Sequence, residues 1–470
     1  MFQKRGIDRN IDWITLSLYL ALVMLGWMVV YAVEYQDGQE SFLRLNSPAG
    51  KQMIWSGISF AAFFIITLID YKFWQTFAYP IYGVTILLLI GVLIIGIEIK
   101  GARSWYAFAG FRFQPSELAK FGTCLAMAAY LSTVGNSLKQ FNHQLVAAGL
   151  LVAPFILIGL QPDMGSALVF LSFLIVLYRE GLPSIYYIIG GTLALLLIMG
   201  LMADDPKYIW IFLEGIGVVW LSSYVFKQQS LYTGLSAVVS FGFFWGARQA
   251  YFEPQVSLLT LGLVFLILSL IYIRKRTVQF PALLATALFI CGAVAYGANY
   301  AFNDMLKPHQ QDRINVWLQP EKCDPRGSLY NLIQSKMAIS AGGATGKGFL
   351  NGTITQLNYV PEQSTDFIFT TIGEEQGFLG VVLVIGLFLA FLIQIIRIAE
   401  RQRSAFSRIY AYGFAGIVFI HVFINIGMTM GLAPVIGIPL PFISRGGSSL
   451  LGFTIMLGVL LKLDSKRFQI

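Results

Sequence analysis

A polar stretch, "EKCDPRGSLYNLIQSK" at 321–336, interrupts a chain that is otherwise strongly apolar. Its acid Asp324 has two interpretations. Aspartate followed by proline is a favoured start of a helix, so Asp324 could simply cap main-chain N–H groups. A carboxylate can also act as a general base that accepts the proton of a substrate hydroxyl. The two roles are compatible, and Asp324 is the candidate catalytic residue.

A second polar stretch, "GARSWYAFAGFRFQPSELAK" at 101–120, leads into an apolar run and contains Arg103, Glu117 and Lys120. Glu117 and Lys120 are three residues apart and share one face of a helix, so an ion pair is the simple structural interpretation. Ionisable residues inside a span usually face a cavity or a pathway. We therefore predict that these three residues contact substrate.

A third stretch, "NYVPEQSTDFIFTTIGEEQGFLG" at 358–380, carries the candidate binding residues Glu362 and Asp366. Asp366 is also placed to cap the following helix. Glu374 and Glu375 lie one or two turns deeper, where a buried charge is costly without water or a partner. We expect these two acids to line a solvated mouth.

A fourth stretch, "GIPLPFISRGGSSL" at 437–450, brings Arg445 and Ser448 to the end of the last apolar run. Its small residues permit close packing of helices. Main-chain N–H groups at a helix start beside an arginine also form an anion site. A diphosphate is one anion that would suit it.

The long polar segment 303–365 contains helical periodicity behind Asp324. Apolar residues at helical spacing form one stripe, namely Leu329, Leu332, Ile333 and Met337. We expect a helix that starts at Pro325 and lies on or re-enters the membrane surface. It would hold three further candidate binding residues about three turns from Asp324, namely Gln334, Ser335 and Lys336.

One motif in the same segment is set aside. "AGGATGKG" at 341–348 looks like a phosphate loop, but Ala341 stands where the first glycine is required. Gly348 stands where serine or threonine would bind magnesium. We do not expect nucleotide binding there.

Composition indicates which elements must position these groups. Hydrophobic residues make up 57% of the 470-residue chain and charged residues 12%, against about 25% charged in soluble domains. The expected fold is an all-α polytopic membrane protein, with residues 1–470 as a single membrane domain. Basic residues beside spans normally set topology and contact lipids, so the net charge of +8 does not predict nucleic-acid binding. The spacing of the three cysteines and three histidines predicts neither a disulfide framework nor a zinc site.

Apolar runs between polar or Pro/Gly breaks give fourteen candidate spans. The run at 165–178 is short and follows "QPDMG", which favours a tilted or broken helix there. The spans are 13–33, 53–69, 78–99, 117–134, 144–160, 165–178, 185–203, 208–225, 230–248, 256–273, 280–302, 367–396, 406–430 and 446–463.

Orientation follows from the basic clusters, because Lys and Arg in short loops are retained on the cytoplasmic side. A cytoplasmic N-terminus puts the four main clusters on one side, and both termini are then cytoplasmic. The long segment 303–365, with Asp324, then faces outward. The four clusters lie at 4–9, 274–276, 397–408 and 462–467.

Taken in chain order, the four stretches and "QPDMGSALVF" follow one another as they do in the shape, elongation, division and sporulation family, which this sequence resembles. The likeness covers nearly the whole chain and is nearer to the elongation branch than to the division branch. It implies a peptidoglycan glycosyltransferase that polymerises lipid II at the outer face of the bacterial cytoplasmic (inner) membrane. The implied partners are membrane lipids and a class B penicillin-binding protein, a transpeptidase similar to penicillin-binding protein 2. Asp324 matches the essential acid of the family, and Glu117 with Lys120 match its polar pair.

Two features depart from the family. Its members commonly have fewer spans, and the excess here lies in 204–280, for which a partner-binding surface is one hypothesis. Arg445 stands where the family often has tyrosine, so the resemblance assigns no role to Arg445 in that last motif.

The resemblance implies that a GlcNAc 4-hydroxyl of one lipid II attacks the MurNAc anomeric carbon of another, with inversion and loss of undecaprenyl diphosphate. No cofactor is certain, and a divalent cation, Mg or Mn, could offset the charge of the leaving diphosphate. An alternative is a flippase for lipid II or another lipid transporter, because Glu117, Lys120 and Glu374 would suit a polar path. Against it, no inverted repeat is visible, and the polar groups gather on one face.

Overall fold

The computed structural model describes residues 11–35, 47–99, 101–108, 111–134, 138–203, 205–226, 230–275, 278–306, 308–327 and 329–468. The chain divides into two compact units. Unit 1 is Met1–Pro183 with Asp324–Ile470, and unit 2 is Ser184–Cys323. The predicted basic cluster at 4–9 lies outside the described residues.

Unit 1 contains all of the predicted site residues. Its helices are α1 (Trp13–Glu34), α2 (Pro48–Leu68), α3 (Tyr71–Thr76), α4 (Ala78–Ile95), α5 (Pro115–Val134), α6 (Phe141–Gly159), α7 (Met164–Leu168), α8 (Phe173–Arg179), α15 (Tyr330–Ala341), α16 (Thr353–Gln356), α17 (Ile368–Glu400), α18 (Ala405–Met430) and α19 (Gly447–Ser465).

Unit 2 is built from the helices of residues 184–323, which come in the sequence between the two parts of unit 1. They are α9 (Ser184–Met202), α10 (Lys207–Val225), α11 (Ser230–Arg248), α12 (Pro254–Lys275), α13 (Gln279–Tyr300) and α14 (Pro308–Leu318).

The all-α polytopic class is confirmed. Eleven helices in the described part of the chain are long and apolar enough to cross a membrane. The predicted spans at 117–134 and 230–248 are helical but more polar, and the one at 165–178 is broken by a 3₁₀ turn, Val169–Ser172. The count of fourteen spans and the side of each terminus therefore stay predictions.

A small antiparallel sheet lies between α4 and α5, where no strand is predicted from the sequence. Its strands are β1 (Ile97–Ile99), β2 (Ala102–Phe108) and β3 (Phe111–Phe113), in the order β1-β2-β3. Aromatic residues in "RSWYAF" favour extended backbone. Gly101, at φ +81°, allows the tight turn between the first two strands.

Phe442, in the segment that precedes α19, lies in the buried core of unit 1. The Phe442 ring packs edge-on against Tyr19 of α1, Phe391 of α17 and Phe453 of α19, with centroid separations of 5.2, 5.4 and 5.6 Å. Gly26 of α1 touches the same segment so closely that a Cβ would lie 2.5 Å from the Phe442 carbonyl oxygen. Buried aromatic packing therefore fixes the segment that carries Arg445.

Helix α17 is kinked at Gly377, whose φ of 63° and ψ of −160° are not helical. The segment 342–348, which is part of the motif 341–348 set aside above, docks into this kink. The main-chain N–H of Lys347 donates to the Glu374 carbonyl at 3.1 Å, and that of Gly348 donates to the Glu375 carbonyl at 2.9 Å. The segment therefore satisfies main-chain groups that the kink leaves without helical partners.

The expectation of a solvated mouth around Glu374 is wrong. The Glu374 side chain is fully buried. Its carboxylate accepts from Lys347 Nζ at 2.7 Å and from the main-chain N–H groups of Ile354 and Thr355, each at 2.9 Å. Glu374 thus anchors the docked segment and α16, and its charge is offset by a cation and by main-chain dipoles.

The two ends of unit 1 differ in their polar groups. We call the end with Glu34, Asp324 and Arg445 the loop face, and the opposite end, with Asp12 and Arg401, the termini face. At the termini face Arg401 binds Asp12 at 2.8 Å, which links the start of α1 to the end of α17. Burial tends to raise the pKa of Asp12, but hydrogen bonds from Thr15 and Arg401 outweigh it and hold that pKa below its usual range.

Candidate functional site

Asp324 lies in an exposed turn at the loop face. Its Oδ1 accepts from the Arg326 N–H at 3.0 Å, and its carbonyl oxygen accepts from the Gly327 N–H at 3.1 Å. Helix α15 begins only at Tyr330, after Leu329, which gives no side-chain cap. The expected helix start at Pro325 is therefore wrong, because proline and glycine at these positions close a β-turn instead. Asp324 orients its carboxylate by capping this turn.

Helix α15 packs one face against the end of α18. Ser335 is fully buried, and its hydroxyl donates to the Thr429 carbonyl at 2.8 Å. The exposed Lys336 places Nζ beside Gly431, where a Cβ would lie only 2.7 Å from it. A cation at a helix C-terminus is favoured by the helix dipole. Gln334, the residue before Ser335 on the same helix, is half-buried.

Glu117 and Lys120 form the predicted ion pair one turn into α5, with a distance of 2.8 Å between Glu117 Oε2 and Lys120 Nζ. Both side chains are buried, at 3% and 2% exposure. Lys120 Nζ also lies 2.9 Å from Nε2 of His421 on α18 and 5.2 Å from the ring centre of Phe453. The pair is thus held inside the helix bundle.

The segment 437–446 is tied to the start of α17 by Asn425 of α18. The amide of Asn425 donates to the carbonyl oxygens of Asp366 and Ile438, at 2.8 and 2.7 Å. Gly437, at φ +65°, brings the main chain so close that a Cβ would lie 3.2 Å from the Asp366 carboxylate. Helix α17 starts at Ile368 with Phe367 as its cap residue, so Asp366 does not cap it as expected.

Arg445 joins three parts of the loop face. Its guanidinium contacts Glu34 at the end of α1 at 3.1 Å, and its main-chain N–H donates to the Ser364 carbonyl at 2.9 Å. The side chain keeps 37% exposure, so it is open to an anion. Ser448 is buried in the first turn of α19, and Glu362 accepts from the Thr365 hydroxyl at 3.2 Å.

Arg103 stands apart on the exposed surface of β2, where its guanidinium lies 3.5 Å from the Leu93 carbonyl. Lys120 and Ser335 both contact helix α18, at His421 and Thr429, and Lys336 lies beside Gly431 just after that helix. Substrate contact by any of these residues stays a prediction.

Three polar residues of this region were not predicted as site residues: Asp163, His421 and Asn425. Asp163 caps α7 and accepts from the Gln114 amide at 2.8 Å, so it joins the "QPDMG" and "FQPSE" stretches. His421 is an ionisable residue inside an apolar run, and the rule that singled out Glu117 would also have found it. Asn425 carried no comparable signal, since its role is to hold main-chain oxygens.

Among the described residues, no group of three or more His, Cys, Asp and Glu side chains lies close enough together to hold a metal ion. Two acids of this region are engaged in ion pairs, Glu34 with Arg445 and Glu117 with Lys120. The described residues therefore do not fit a metal ion held by this chain alone.

The fold and these contacts define an integral membrane protein of many helices with a polar, charged site at one end of its main bundle. The chain belongs to the cell cycle protein family of FtsW, RodA and SpoVE, whose profile matches residues 12–214 and 255–469. The unmatched residues 215–254 fall inside the predicted insertion 204–280. The limits of that insertion stay a prediction.

Similar proteins with assigned names cover almost the whole chain. It is 31% identical to the peptidoglycan glycosyltransferase RodA of Treponema pallidum, over 98% of this chain and 99% of that protein. It is 27% identical to the peptidoglycan glycosyltransferase MrdB of Escherichia coli K12, over 97% of this chain and 94% of that protein.

Two solved structures share the fold. A chain from a peptidoglycan synthase complex that coordinates polymerization and crosslinking has a TM-score of 0.65 and 25% identity, covering 98% of this chain and 99% of its own. RodA of Thermus thermophilus has a TM-score of 0.55 at 22% identity, covering 99% of this chain and all of its own.

Proposed function

We propose that the protein polymerises lipid II into glycan strands with Asp324 as the general base. The protein is a peptidoglycan glycosyltransferase of cell elongation, and its relatives RodA and MrdB carry that activity in their names. The observation that carries the assignment of Asp324 is its geometry. One carboxylate oxygen is fixed by the turn, and in the described part of the chain no hydrogen bond to Oδ2 is formed.

The reaction needs a base because a sugar hydroxyl is a poor nucleophile at neutral pH. Asp324 Oδ2 accepts the proton of the attacking 4-hydroxyl as the new bond to the anomeric carbon forms. A positioned carboxylate contributes roughly 10²–10⁴-fold to such a step. Because no covalent glycosyl intermediate is formed, the α-linked donor gives a β-linked glycan.

The leaving diphosphate must be stabilised as its charge grows. Arg445 is the best candidate of the predicted cations because its guanidinium is partly exposed and fixed by Glu34. Lys120 is less suited to direct contact, since it is buried and paired. We propose that a divalent cation, Mg or Mn, enters bound to the substrate diphosphate, because the described residues offer no cluster of ligands for it.

The proposed site of action is the outer face of the bacterial inner membrane, where the segment 303–365 would meet lipid II. The proposed partner is a class B penicillin-binding protein, a transpeptidase similar to penicillin-binding protein 2. A similar chain belongs to a complex that coordinates polymerization and crosslinking, which supports such a partner.

Replacement of the base tests the proposal. Asp324→Asn keeps the size and the turn-capping oxygen, so the protein should fold and bind its partner as wild type does. Polymerisation of purified lipid II should fall by at least about 100-fold. The matched control is Glu321→Gln, an exposed acid three residues away, which should retain activity. Glycan polymer at the wild-type level from Asp324→Asn would remove Asp324 as the base.

A further inference from the structure

His421 occupies the centre of a buried polar chain that the proposed reaction does not use. Its ring is 1% exposed and lies between α5, α19 and the segment 437–446. Nδ1 is 3.0 Å from the Pro439 carbonyl oxygen, and Nε2 is 2.9 Å from Lys120 Nζ. The ring also meets Phe453 edge-on, at a centroid separation of 5.0 Å.

The two contacts of the ring determine its protonation. A carbonyl oxygen can only accept, so Nδ1 must carry the hydrogen that bonds Pro439. The Lys120 ammonium can only donate, so Nε2 must be the acceptor. A neutral imidazole with its hydrogen on Nδ1 satisfies both, whereas a doubly protonated ring would direct an N–H at the ammonium.

The same contacts use two of the three N–H groups of the Lys120 ammonium. One N–H donates to Glu117, one donates to His421, and the charge faces the Phe453 ring. Hydrogen bonds that involve a charged group are the strong ones in a buried setting. Loss of the His421 acceptor would leave Glu117 as the only hydrogen-bond acceptor shown for this buried cation among the described residues.

His421 also reaches the loop face through the main chain. Pro439 follows Ile438, which Asn425 bonds together with Asp366 one turn along α18 from His421. The carbonyl oxygens of 366, 438 and 439 are therefore held by two side chains on one face of α18. The His421 ring therefore links this segment to Lys120.

We infer that His421 is a positioning residue: in its neutral Nδ1–H form it holds the Lys120 ammonium in register with the segment 437–446. The inference rests on the proposed function in one respect, that the Lys120 position matters for glycan polymerisation. The tautomer itself does not depend on that function.

Nitrogen-15 NMR of the labelled full-length protein tests the tautomer without any assay of activity. The chain has three histidines, and the signal that disappears in His421→Gln assigns the ring. We expect one protonated nitrogen, Nδ1, and an unprotonated Nε2 at neutral pH. A ring protonated on Nε2, or on both nitrogens, would overturn the inference even if polymerisation is normal.

Substitutions separate the two contacts. The Gln side chain can place its amide oxygen near the Nε2 position and accept from Lys120, while Asn reaches only the Nδ1 position. His421→Gln should keep kcat within about threefold, whereas His421→Asn and His421→Ala should lose roughly 10–100-fold, the worth of one charge-assisted hydrogen bond. KM for lipid II should change little, because Arg445 remains tied to Glu34. Equal losses in all three variants would contradict a role through Lys120.

A double-mutant cycle tests whether His421 acts through Lys120 or independently of it. In a background with Glu117→Gln and Lys120→Met, the ring has no ammonium to hold. His421→Ala should then cause no further loss of kcat. An additional loss as large as that in the wild-type background would mean that His421 acts independently of Lys120. Thermal unfolding of each variant in detergent identifies any that fail to fold.

Discussion

At the scale of single residues, Lys120 could serve the reaction, the stability of the fold, or both. Its charge is buried at 2% exposure, yet Glu117 and His421 neutralise and bind it. Breaking such a pair costs much more than removing both partners, because a lone buried charge is left behind. The pair can therefore be tested for function separately from its contribution to stability.

We compare the single variant Lys120→Ala with a double variant that carries both Glu117→Gln and Lys120→Met. We call this double variant the neutral pair. Lys120→Ala should lower the free energy of unfolding by about 3–5 kcal/mol, because Glu117 is left unpaired. The neutral pair should lose less, about 1–3 kcal/mol, because no buried charge remains and only the buried Nε2 of His421 loses its hydrogen-bond donor.

Both proteins are compared by thermal unfolding in detergent and by polymerisation of lipid II. If Lys120 supports the reaction, the neutral pair should be stable but at least about tenfold less active. A neutral pair with full activity would leave the ion pair a purely structural role.

At the scale of elements, the kink in α17 explains how this apolar helix binds the polar segment 342–348. Gly377 turns the backbone out of the helix, and segment 342–348 bonds the carbonyl oxygens of Glu374 and Glu375. The sequence predicted neither the kink nor the docking. A glycine within an apolar run is common in membrane helices, so its φ of 63° cannot be anticipated from composition.

Gly377→Ala should destabilise the protein and detach the segment 342–348. A Cβ at Gly377 would lie 2.2 Å from the Gly346 main-chain nitrogen, and a positive φ is strained for alanine. We expect a loss of about 2 kcal/mol or more and faster amide hydrogen exchange in the segment.

Gly386→Ala is the matched control, because Gly386 lies in the same helix and no atom of the described residues lies within 4 Å of the added Cβ. It should unfold at the wild-type temperature or slightly above, since alanine favours helix. Equal stability of the two variants would mean that the kink is not fixed by the glycine.

At the scale of the whole molecule, the sequence predicted the class and the spans better than the site. Long apolar runs identify membrane helices because the bilayer leaves few other solutions. The site is harder, since Ser335 and His421 acquire their partners from α5, α15 and α18, which are far apart in the sequence. The prediction of a helix from Pro325 was wrong for a local reason, because the Gly327 N–H closes a turn onto the Asp324 carbonyl oxygen.

The predicted orientation is the property on which the proposed reaction depends most, because lipid II must meet Asp324 on the outer side. The four arginines of 397–408 argue for a cytoplasmic termini face. Single cysteines at Asn351 and Arg403, both exposed and at opposite faces, can test it in a chain with its three native cysteines replaced. A membrane-impermeant maleimide on intact cells should label Asn351→Cys at once and Arg403→Cys only after permeabilisation. The reverse pattern would put Asp324 in the cytoplasm and exclude polymerisation at the outer face.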